Sequence, residues 1–241
     1  MKYKSAIFKI GGNILEDFES LNITISQLES LYKQGRIHKI ILVPGGGIIA
    51  NFIRIAYNKL KFSEELAHWM GIIAMNYNGI ELGKKFPKLQ TIDNLKQILE
   101  VDKIFCIFLP YQYLRANDKL PHSWEVTSDS ISLYLAKEIG LNVCFLIKNV
   151  DGIFNDKNQL MKELSAAEFQ RLKDTEKLAK IGITSVDLKN QSRPIDPYLT
   201  LLIKQNRIPC VILNGTSKKN RIIEFFDESK SQQEKIYTNI K

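Results

Sequence analysis

Ala6-Ile7-Phe8-Lys9-Ile10-Gly11-Gly12-Asn13 decides how this chain is read. A short apolar run carries one lysine and breaks into two glycines, after which apolar residues return at helix-like intervals. The pattern predicts a strand ending in a loop whose backbone N–H groups can turn toward a ligand, because glycine tolerates positive φ and has no Cβ in the way. Lys9 is a point charge beside that loop, well placed for a phosphate. A second apolar run, Ile40 to Val43, breaks into Pro44-Gly45-Gly46-Gly47 and opens a helical pattern. Helix N-termini bind anions through unpaired N–H groups and the helix dipole. Two such loops so close together predict a site that handles two phosphorylated or anionic groups at once.

Outward from these loops the chain keeps a strand–helix rhythm, which is that of a parallel α/β sheet. Asn22 to Gln34 reads as a helix with Ile25, Leu28, Leu31 and Tyr32 at three- and four-residue spacing and Gly35 as its stop. Helices are also expected from Ile48 to Leu60 and from Phe62 to Lys85, the second capped by Ser63 and carrying the apolar stripe Leu66, Trp69, Met70, Ile73 and Tyr77. His68 lies beside that stripe, either as an ordinary core or surface histidine or as part of an acceptor pocket. Ile104 to Leu109 is a strand ended by Pro110, and Tyr111 to His122 reads as an irregular, polar flap.

Thr127-Ser128-Asp129-Ser130 then leads into a helix that stops at Gly140. One of Thr127, Ser128 and Asp129 can cap it, yet a cap needs only one polar side chain and the cluster offers four. Asn142 to Ile147 is a buried strand running into Lys148-Asn149-Val150-Asp151-Gly152. Asp151-Gly152 is a ready turn, but a turn does not need Lys148, and carboxyl ends of parallel strands are where α/β sites are built. Ser165 is a candidate cap for a helix from Ala166 to Lys180, and Asp196-Pro197 opens a helix from Tyr198 to Gln205. Cys210 to Leu213 is a last buried strand before Asn214-Gly215-Thr216. A helix from Lys218 to Phe226 and a short strand near Ile236-Tyr237 close the chain.

The 241 residues, 44% hydrophobic, suffice for one large domain or two small lobes. The net charge of +8 reads either as a lysine-rich solvated surface or as attraction to nucleotide or another polyanion. No basic–aromatic motif or zinc spacing points to nucleic acid as the main ligand. Cys106, Cys144 and Cys210 each sit in an apolar, strand-like run and read as buried reduced thiols. No apolar stretch is long enough for a bilayer and no signal-peptide core appears, so a cytoplasmic protein without a membrane partner is expected.

Taken together, Lys9-Ile10-Gly11-Gly12, Val43-Pro44-Gly45-Gly46-Gly47, Thr127-Ser128-Asp129-Ser130, Val150-Asp151-Gly152 and Leu213-Asn214-Gly215-Thr216 resemble the amino acid kinase family. That family includes N-acetylglutamate kinase, aspartokinase, uridylate kinase and isopentenyl phosphate kinase. The motifs fall in the family's order over essentially the whole chain. Ala67-His68-Trp69-Met70 and Pro121-His122-Ser123-Trp124-Glu125-Val126 look most like the archaeal branch that includes a methanofuran-pathway kinase of an aminomethylfuran-methyl phosphate. The resemblance implies an α/β fold, a three-layer αβα sandwich with a central, mainly parallel sheet, assembled as a homodimer or higher homo-oligomer. It implies residues 1–140 as an acceptor-binding lobe and 141–241 as a nucleotide-binding lobe of one domain, with ATP and Mg²⁺ as cofactors.

By the same resemblance Lys9 contacts the transferring phosphoryl group, and Gly11 and Gly12 donate N–H groups to the ATP phosphates. Gly45, Gly46 and Gly47 face the acceptor's anionic end, with His68, Thr127 and Ser128 near it. Asp129 holds the catalytic lysines in place, while Asp151 and Gly152 lie along the nucleotide. One departure stands out. Relatives such as N-acetylglutamate kinase carry Gly-Gly-Met-x-x-Lys, whose lysine neutralises ATP phosphates, where this chain reads Arg193-Pro194-Ile195-Asp196-Pro197-Tyr198. Tyr198 stands at the lysine's place, and Lys148 or Arg193 is the candidate substitute.

The expected activity is therefore ATP-dependent transfer of the γ-phosphoryl group to an anionic small molecule, a phosphate monoester such as an aminomethylfuran-methyl phosphate. A carboxylate or an isoprenoid phosphate is the alternative acceptor. An already anionic acceptor needs no strong general base, and none is evident among His38, His68 and His122. Two other readings remain open: a nucleotide-binding storage or regulatory protein that has lost transfer, and a nucleic acid binder whose affinity falls steeply with salt. Trp69, Tyr111 and Trp124 read as aromatic walls for a flat acceptor or as ordinary core.

Overall fold

The computed structural model describes residues 3–179, 194–216 and 218–241. Strand β1 (Ser5–Ile10) leads through a short helix α1 (Gly12–Glu16) and α2 (Phe18–Lys33) into β2 (Lys39–Pro44). Helices α3 (Gly47–Leu60) and α4 (Glu64–Lys85) follow, then β3 (Gln90–Ile92), α5 (Leu95–Glu100), β4 (Ile104–Phe108) and α6 (Pro110–Asn117). The chain continues through α7 (Ser128–Glu138), β5 (Cys144–Lys148), β6 (Glu163–Leu164) and α8 (Ala166–Asp174). It ends with α9 (Leu199–Asn206), β7 (Cys210–Asn214), α10 (Arg221–Phe226) and β8 (Thr238–Ile240).

The described strands form one sheet in the order β3-β4-β2-β1-β5-β7-β8-β6, parallel throughout except where β7 meets β8. From β1 the chain builds outward through β2 and β4, then returns to the other side of β1 with β5. In open α/β sheets the crevice beyond the strands' carboxyl ends at such a reversal is where ligands bind.

Side chains alternate across the sheet, and helices cover both faces. Ala6, Phe8 and Ile10 pack with Leu42, Phe145, Ile147 and Leu213 under Leu21, Ile25 and Leu28 of α2. Ile7 packs with Val43, Cys144, Leu146 and Ile212 under Leu133 of α7 and Leu199 of α9. Strands buried on both faces read as unbroken apolar runs, which is why Ala6–Ile10 and Ile40–Val43 stood out. The same two-residue period lifts Lys9, in step with Ile7, and Lys148, in step with Cys144 and Leu146, onto the α7 face. The three cysteines are buried free thiols, and no described helix is long and apolar enough to cross a membrane.

Several boundaries differ from the sequence reading. Helix α2 begins at Phe18 rather than Asn22, because Asp17 caps it by accepting from the Ser20 N–H at 3.0 Å. The expected flap at 111–122 begins instead as helix α6, with Pro110 in its first turn and Asn76 Oδ1 accepting from the Tyr111 N–H. Its polar outer face concealed it. Helix α8 stops at Asp174, α10 starts at Arg221 rather than Lys218, and the last strand lies at Thr238–Ile240 rather than at Ile236-Tyr237. Ser63 and Ser165 cap α4 and α8 as expected, accepting from Leu66 and Glu168 N–H groups.

The largest difference is in α4. Leu66, Ile73 and Tyr77 of the expected stripe are exposed, and Ala67, Ile72, Met75 and Gly79 pack inward instead. The cause is close approach to the sheet: a Cβ on Gly79 would stand 2.4 Å from Leu109 Cδ2 and 3.2 Å from Pro44 Cγ. Only a glycine fits at that point, so the helix turns its Gly79 side to the sheet, with Ile72 and Met75 beside it, and Ile73 and Tyr77 face outward.

Candidate active site

Beyond the carboxyl ends of β1, β2 and β5 opens a cavity of about 640 Å³, lined by parts of both glycine loops, the start of α7, the end of β5 and residues 194–197. That size is ordinary for a small-molecule site. On its floor Asp129, in the first turn of α7, lies between two lysines. Lys9 Nζ is 2.9 Å from Oδ1, and Lys148 Nζ donates to both carboxylate oxygens at 2.7 Å. Lys9 and Asp129 are almost wholly buried. Burial would raise the Asp129 pKa, but Lys148 and then Lys9 outweigh it and hold the carboxyl at about 2. Burial pushes Lys148 down to about 8, with Asp129 pulling it back and Lys9 opposing. Two ammonium groups around one carboxylate leave a net positive centre facing the cavity, poorly solvated by water and suited to phosphate.

Behind this centre lies Asp196, which the sequence offered only as a helix opener. It is buried and joins two helix starts. Oδ2 accepts from the Thr127 N–H, the Thr127 hydroxyl and the Ser130 N–H at 2.9–3.0 Å. Oδ1 accepts from the Ser130 hydroxyl at 2.5 Å and from the Leu199 N–H at 2.9 Å. The cap expected from Thr127, Ser128 or Asp129 themselves is therefore supplied from 69 residues away, and Thr127 makes no cap bond of its own. Burial and then the nearby Asp129 charge lift the Asp196 pKa to about 6, against the pull of its donors.

The two glycine loops touch. A Cβ on Gly12 would lie 2.8 Å from Gly47 Cα, and Gly47, at φ +53, begins α3 in a conformation that L side chains rarely adopt. Gly11, Gly12, Gly46 and Gly47 line the cavity, and Gly45 does not. The roles expected for Gly11 and Gly45 need correction. The Gly11 N–H donates to Ile147 O at 2.9 Å and the Gly45 N–H to Ile10 O at 2.8 Å, so neither is turned toward a ligand. These bonds extend the β1–β5 and β1–β2 pairing by one residue, a use that loop composition does not reveal.

Around the rest of the cavity, His68 is buried, its Nδ1 3.2 Å from Ser123 O, and burial pushes its pKa down, which favours the neutral ring. It lines the cavity with Thr127, Ser128 and Trp124. Thr127 directs both its N–H and its hydroxyl at Asp196. Trp69 and Tyr111 pack edge-to-face on each other, 6.1 Å apart, and do not line the cavity. Arg54, Tyr57 and Glu64 do line it, none of them singled out by sequence. The Arg54 guanidinium sits 4.7 Å over the Trp124 ring.

The lining stops at Val150. Asp151 Oδ1 accepts from Asn214 Nδ2 at 3.1 Å and Arg221 Nε at 3.3 Å. Gly152, at φ +146, is packed so tightly that a Cβ would stand 2.4 Å from Thr238 Oγ1. The expected glycine position is thus accounted for by packing on β8. Tyr198 precedes α9 and donates its N–H to Glu125 O at 3.2 Å; Pro197, not Tyr198, lines the cavity. Arg193 lies outside the described residues. Among the described residues no group of three His, Cys, Asp or Glu side chains is placed to hold a metal ion.

Comparison with known proteins bears on this geometry directly. Residues 4–214 match the model of the amino acid kinase family. The chain is 32% identical over 237 residues to (5-(aminomethyl)furan-3-yl)methyl phosphate kinase of Methanocaldococcus jannaschii, covering 97% of this chain and 96% of that one. It is 25% identical over 235 residues to uridylate kinase of Pyrococcus abyssi, covering 95% and 96%. Among solved structures, UMP kinase from Ureaplasma parvum superposes with a TM-score of 0.67 at 23% identity, covering 100% of this chain and 99% of that one. UMP kinase from Bacillus anthracis superposes at 0.69 with 17% identity, covering 100% and 96%. With the family's sequence pattern over most of its length and a matching eight-stranded sheet, the chain belongs to the amino acid kinase family.

Proposed function

We propose that this protein is an ATP-dependent kinase that transfers the γ-phosphoryl group to a phosphate monoester, of the kind named for its Methanocaldococcus relative. The observation that carries the reading is the buried Lys9–Asp129–Lys148 centre beneath two touching glycine loops. Phosphoryl transfer demands in-line placement of two anionic groups and neutralisation of charge spreading over the equatorial oxygens. Gly12 on one side, and Gly46 and Gly47 at the α3 N-terminus on the other, supply the placement. Lys9 and Lys148 supply the charge, and Asp129 keeps two like charges side by side when no phosphate is present.

In this reading an oxygen of the acceptor phosphate forms the new bond to the γ-phosphorus as the bond to the ADP oxygen breaks. The attacking oxygen is already anionic, so no side chain has to remove a proton, consistent with the neutral His68. Mg²⁺ fits as a phosphate-borne ion that adds further neutralising charge, held largely by phosphates and waters. Residues 1–140 would form the acceptor side and 141–241 the nucleotide side, with Lys148, Asn149 and Val150 toward ATP. The three reduced, buried thiols suit the cytoplasm, where ATP is available.

Thermal-shift titration with ATP and Mg²⁺ tests the phosphate cradle, since a ligand that binds only the native state raises apparent stability. A clear rise is expected in wild type, reduced in Lys148→Ala. Lys9→Ala is expected to lose at least a hundredfold in acceptor-dependent ADP release. Turnover of acceptor at the wild-type rate by Lys9→Ala would remove Lys9 from the mechanism. ATP binding with no acceptor-dependent consumption would favour the storage or regulatory reading, and consumption that depends on an added acceptor would count against it.

In this reading the chain also self-associates, through α3 and α4. Ile48, Phe52 and Ile55 of α3 and Leu66, Ile73, Tyr77 and Ile80 of α4 are all at least 45% exposed, and the two helices pack together. An apolar face of this kind on a cytoplasmic protein calls for a partner, and a second copy of the same face satisfies it by two-fold symmetry. Light scattering should give a dimer or larger assembly, and Phe52→Glu with Ile73→Glu should shift it to the monomer mass. A monomeric wild type would overturn this placement.

A further inference from the structure

Glu16, Glu64, Asp129 and Asp196 bring carboxylates to the cavity. Three of them are held. Asp129 sits between two lysines, and Asp196 accepts from the donors on α7 and α9. Glu64 Oε1 accepts from the Trp124 N–H at 3.1 Å. Glu16, at the end of α1, is exposed and has no hydrogen-bond or ion-pair partner among the described residues. It stands at the seam between the two glycine loops, with Oε1 3.0 Å from the Cβ position of Gly47 and 3.7 Å from that of Gly12. The loops are close there: the Gly12 nitrogen and Lys9 Cε each lie 3.4 Å from the Cβ position of Gly45. Two phosphates bound side by side at these loops would bring their charge against the Glu16 carboxylate. Like charges at that range repel, so an acidic side chain is ill suited to a seat that holds anions alone. It suits a seat in which a cation lies between them.

We infer that Glu16 is the protein's own ligand to the divalent cation carried by the nucleotide, directly or through one coordinated water. The inference deepens the kinase reading above and rests on it. Mg²⁺ keeps several waters and takes one or two carboxylates together with substrate phosphates. Among the described residues no group of three metal-binding side chains could hold such an ion alone. A single free carboxylate beside phosphate oxygens is the donor set that remains. With the cation in place Glu16 attracts the nucleotide complex, and without it the same charge repels the bare phosphates. Two plainer roles compete with this one. Glu16 is either a solvated helix end with no part in binding, or a repulsive charge that merely occupies the anion seat at the start of α3.

Glu16→Gln separates the three, because it keeps the size of the side chain, removes the charge and breaks no contact within the fold. The nucleotide is the β,γ-imido analogue of ATP, which cannot give up its terminal phosphoryl group. Mn²⁺ stands in for Mg²⁺, and its binding to the protein–analogue complex is read from the electron paramagnetic resonance signal of the free ion. Affinity for the analogue without metal is measured by calorimetry in EDTA. Glu19→Gln is the control, since Glu19 lies outside the cavity lining and pairs with Lys218 at 3.2 Å. Glu16→Gln should weaken Mn²⁺ binding about tenfold and tighten metal-free binding about threefold, while Glu19→Gln changes either less than twofold. Unchanged Mn²⁺ affinity in Glu16→Gln would overturn the inference in favour of the solvated helix end. Tighter binding both with and without Mn²⁺ would overturn it in favour of simple repulsion. A wild type that binds the analogue under neither condition would overturn the kinase reading itself, and the inference with it.

Discussion

An Asp129→Asn protein is expected to lose about three orders of magnitude in kcat while its KM for ATP changes no more than a few-fold. The carboxylate bonds both Lys9 and Lys148 from within the core, and asparagine cannot balance two ammonium groups. Lys148 is already pushed down to about 8 by burial, and the Lys9 charge opposes its protonation further. Without Asp129 one of the pair gives up its proton or swings away, and the transferring phosphoryl group loses a fixed cation. Removing one partner of a buried ion pair also costs about 3 kcal/mol of stability. Bound phosphates can replace the missing negative charge, so ATP should stabilise the mutant by more degrees than it stabilises wild type. Steady-state kinetics and paired melting curves check both points. A kcat near wild type would show that the lysines hold their places unaided.

Asp196→Ala should destabilise the protein by about 3 kcal/mol, since it uncaps α7 and α9 together and strands three backbone N–H groups in the interior. The effect has a defined pH dependence. Burial and Asp129 raise the folded pKa of Asp196 to about 6, above its ordinary 3.8. Between those values the folded state binds more protons than the unfolded state, so this group's contribution is fullest below about pH 4 and declines as pH rises through about 6. The gap in stability between wild type and Asp196→Ala should therefore be wider at pH 4.5 than at pH 7.5. Asp129 works in the opposite direction. Held at about 2, it contributes above pH 4 and is lost as pH falls toward 2. Chemical denaturation at several pH values reads both. Asp196→Asn, neutral at every pH, should flatten the decline between pH 4 and 6 while keeping part of the stability, and an unchanged slope would show that Asp196 is not the group responsible.

Much of this architecture lies in local sequence. Strands buried on both faces must be apolar at every position, so a lysine inside such a run, as in Ala6–Ile10, is conspicuous. Glycine loops at the ends of two runs mark the carboxyl edge of the sheet. Ser63 and Ser165 announce helix starts because a cap is a contact across three residues. The five motifs in order were enough to point to the family.

What stayed hidden depends on which surfaces meet. That Asp129 holds the lysines was expected only from the family resemblance; no local pattern says so, although the two-residue period of β1 and β5 places Lys9 and Lys148 on one face. Asp196 looked like the opener of its own helix, and its second role, across 69 residues, exists only once α7 and α9 lie side by side. Gly11 and Gly45 have the composition of ligand loops, yet strand pairing decides where their N–H groups point. In α4 Leu66, Ile73 and Tyr77 looked like the inward stripe, and close contact at Gly79 turned the Ile72, Met75 and Gly79 face inward instead.

The sequence by itself determined the buried strands β1, β2, β4, β5 and β7, the glycine loops and the family, because their signals are unbroken apolar runs and local motifs. The short edge strands β3 and β6 carry no such run. The tertiary structure alone decided the burial that sets the charge balance on the cavity floor, the shared cap at Asp196 and the direction of the Gly11 and Gly45 N–H groups. Each of these is a contact between groups distant in the chain, and its energy depends on burial that only the packed fold creates.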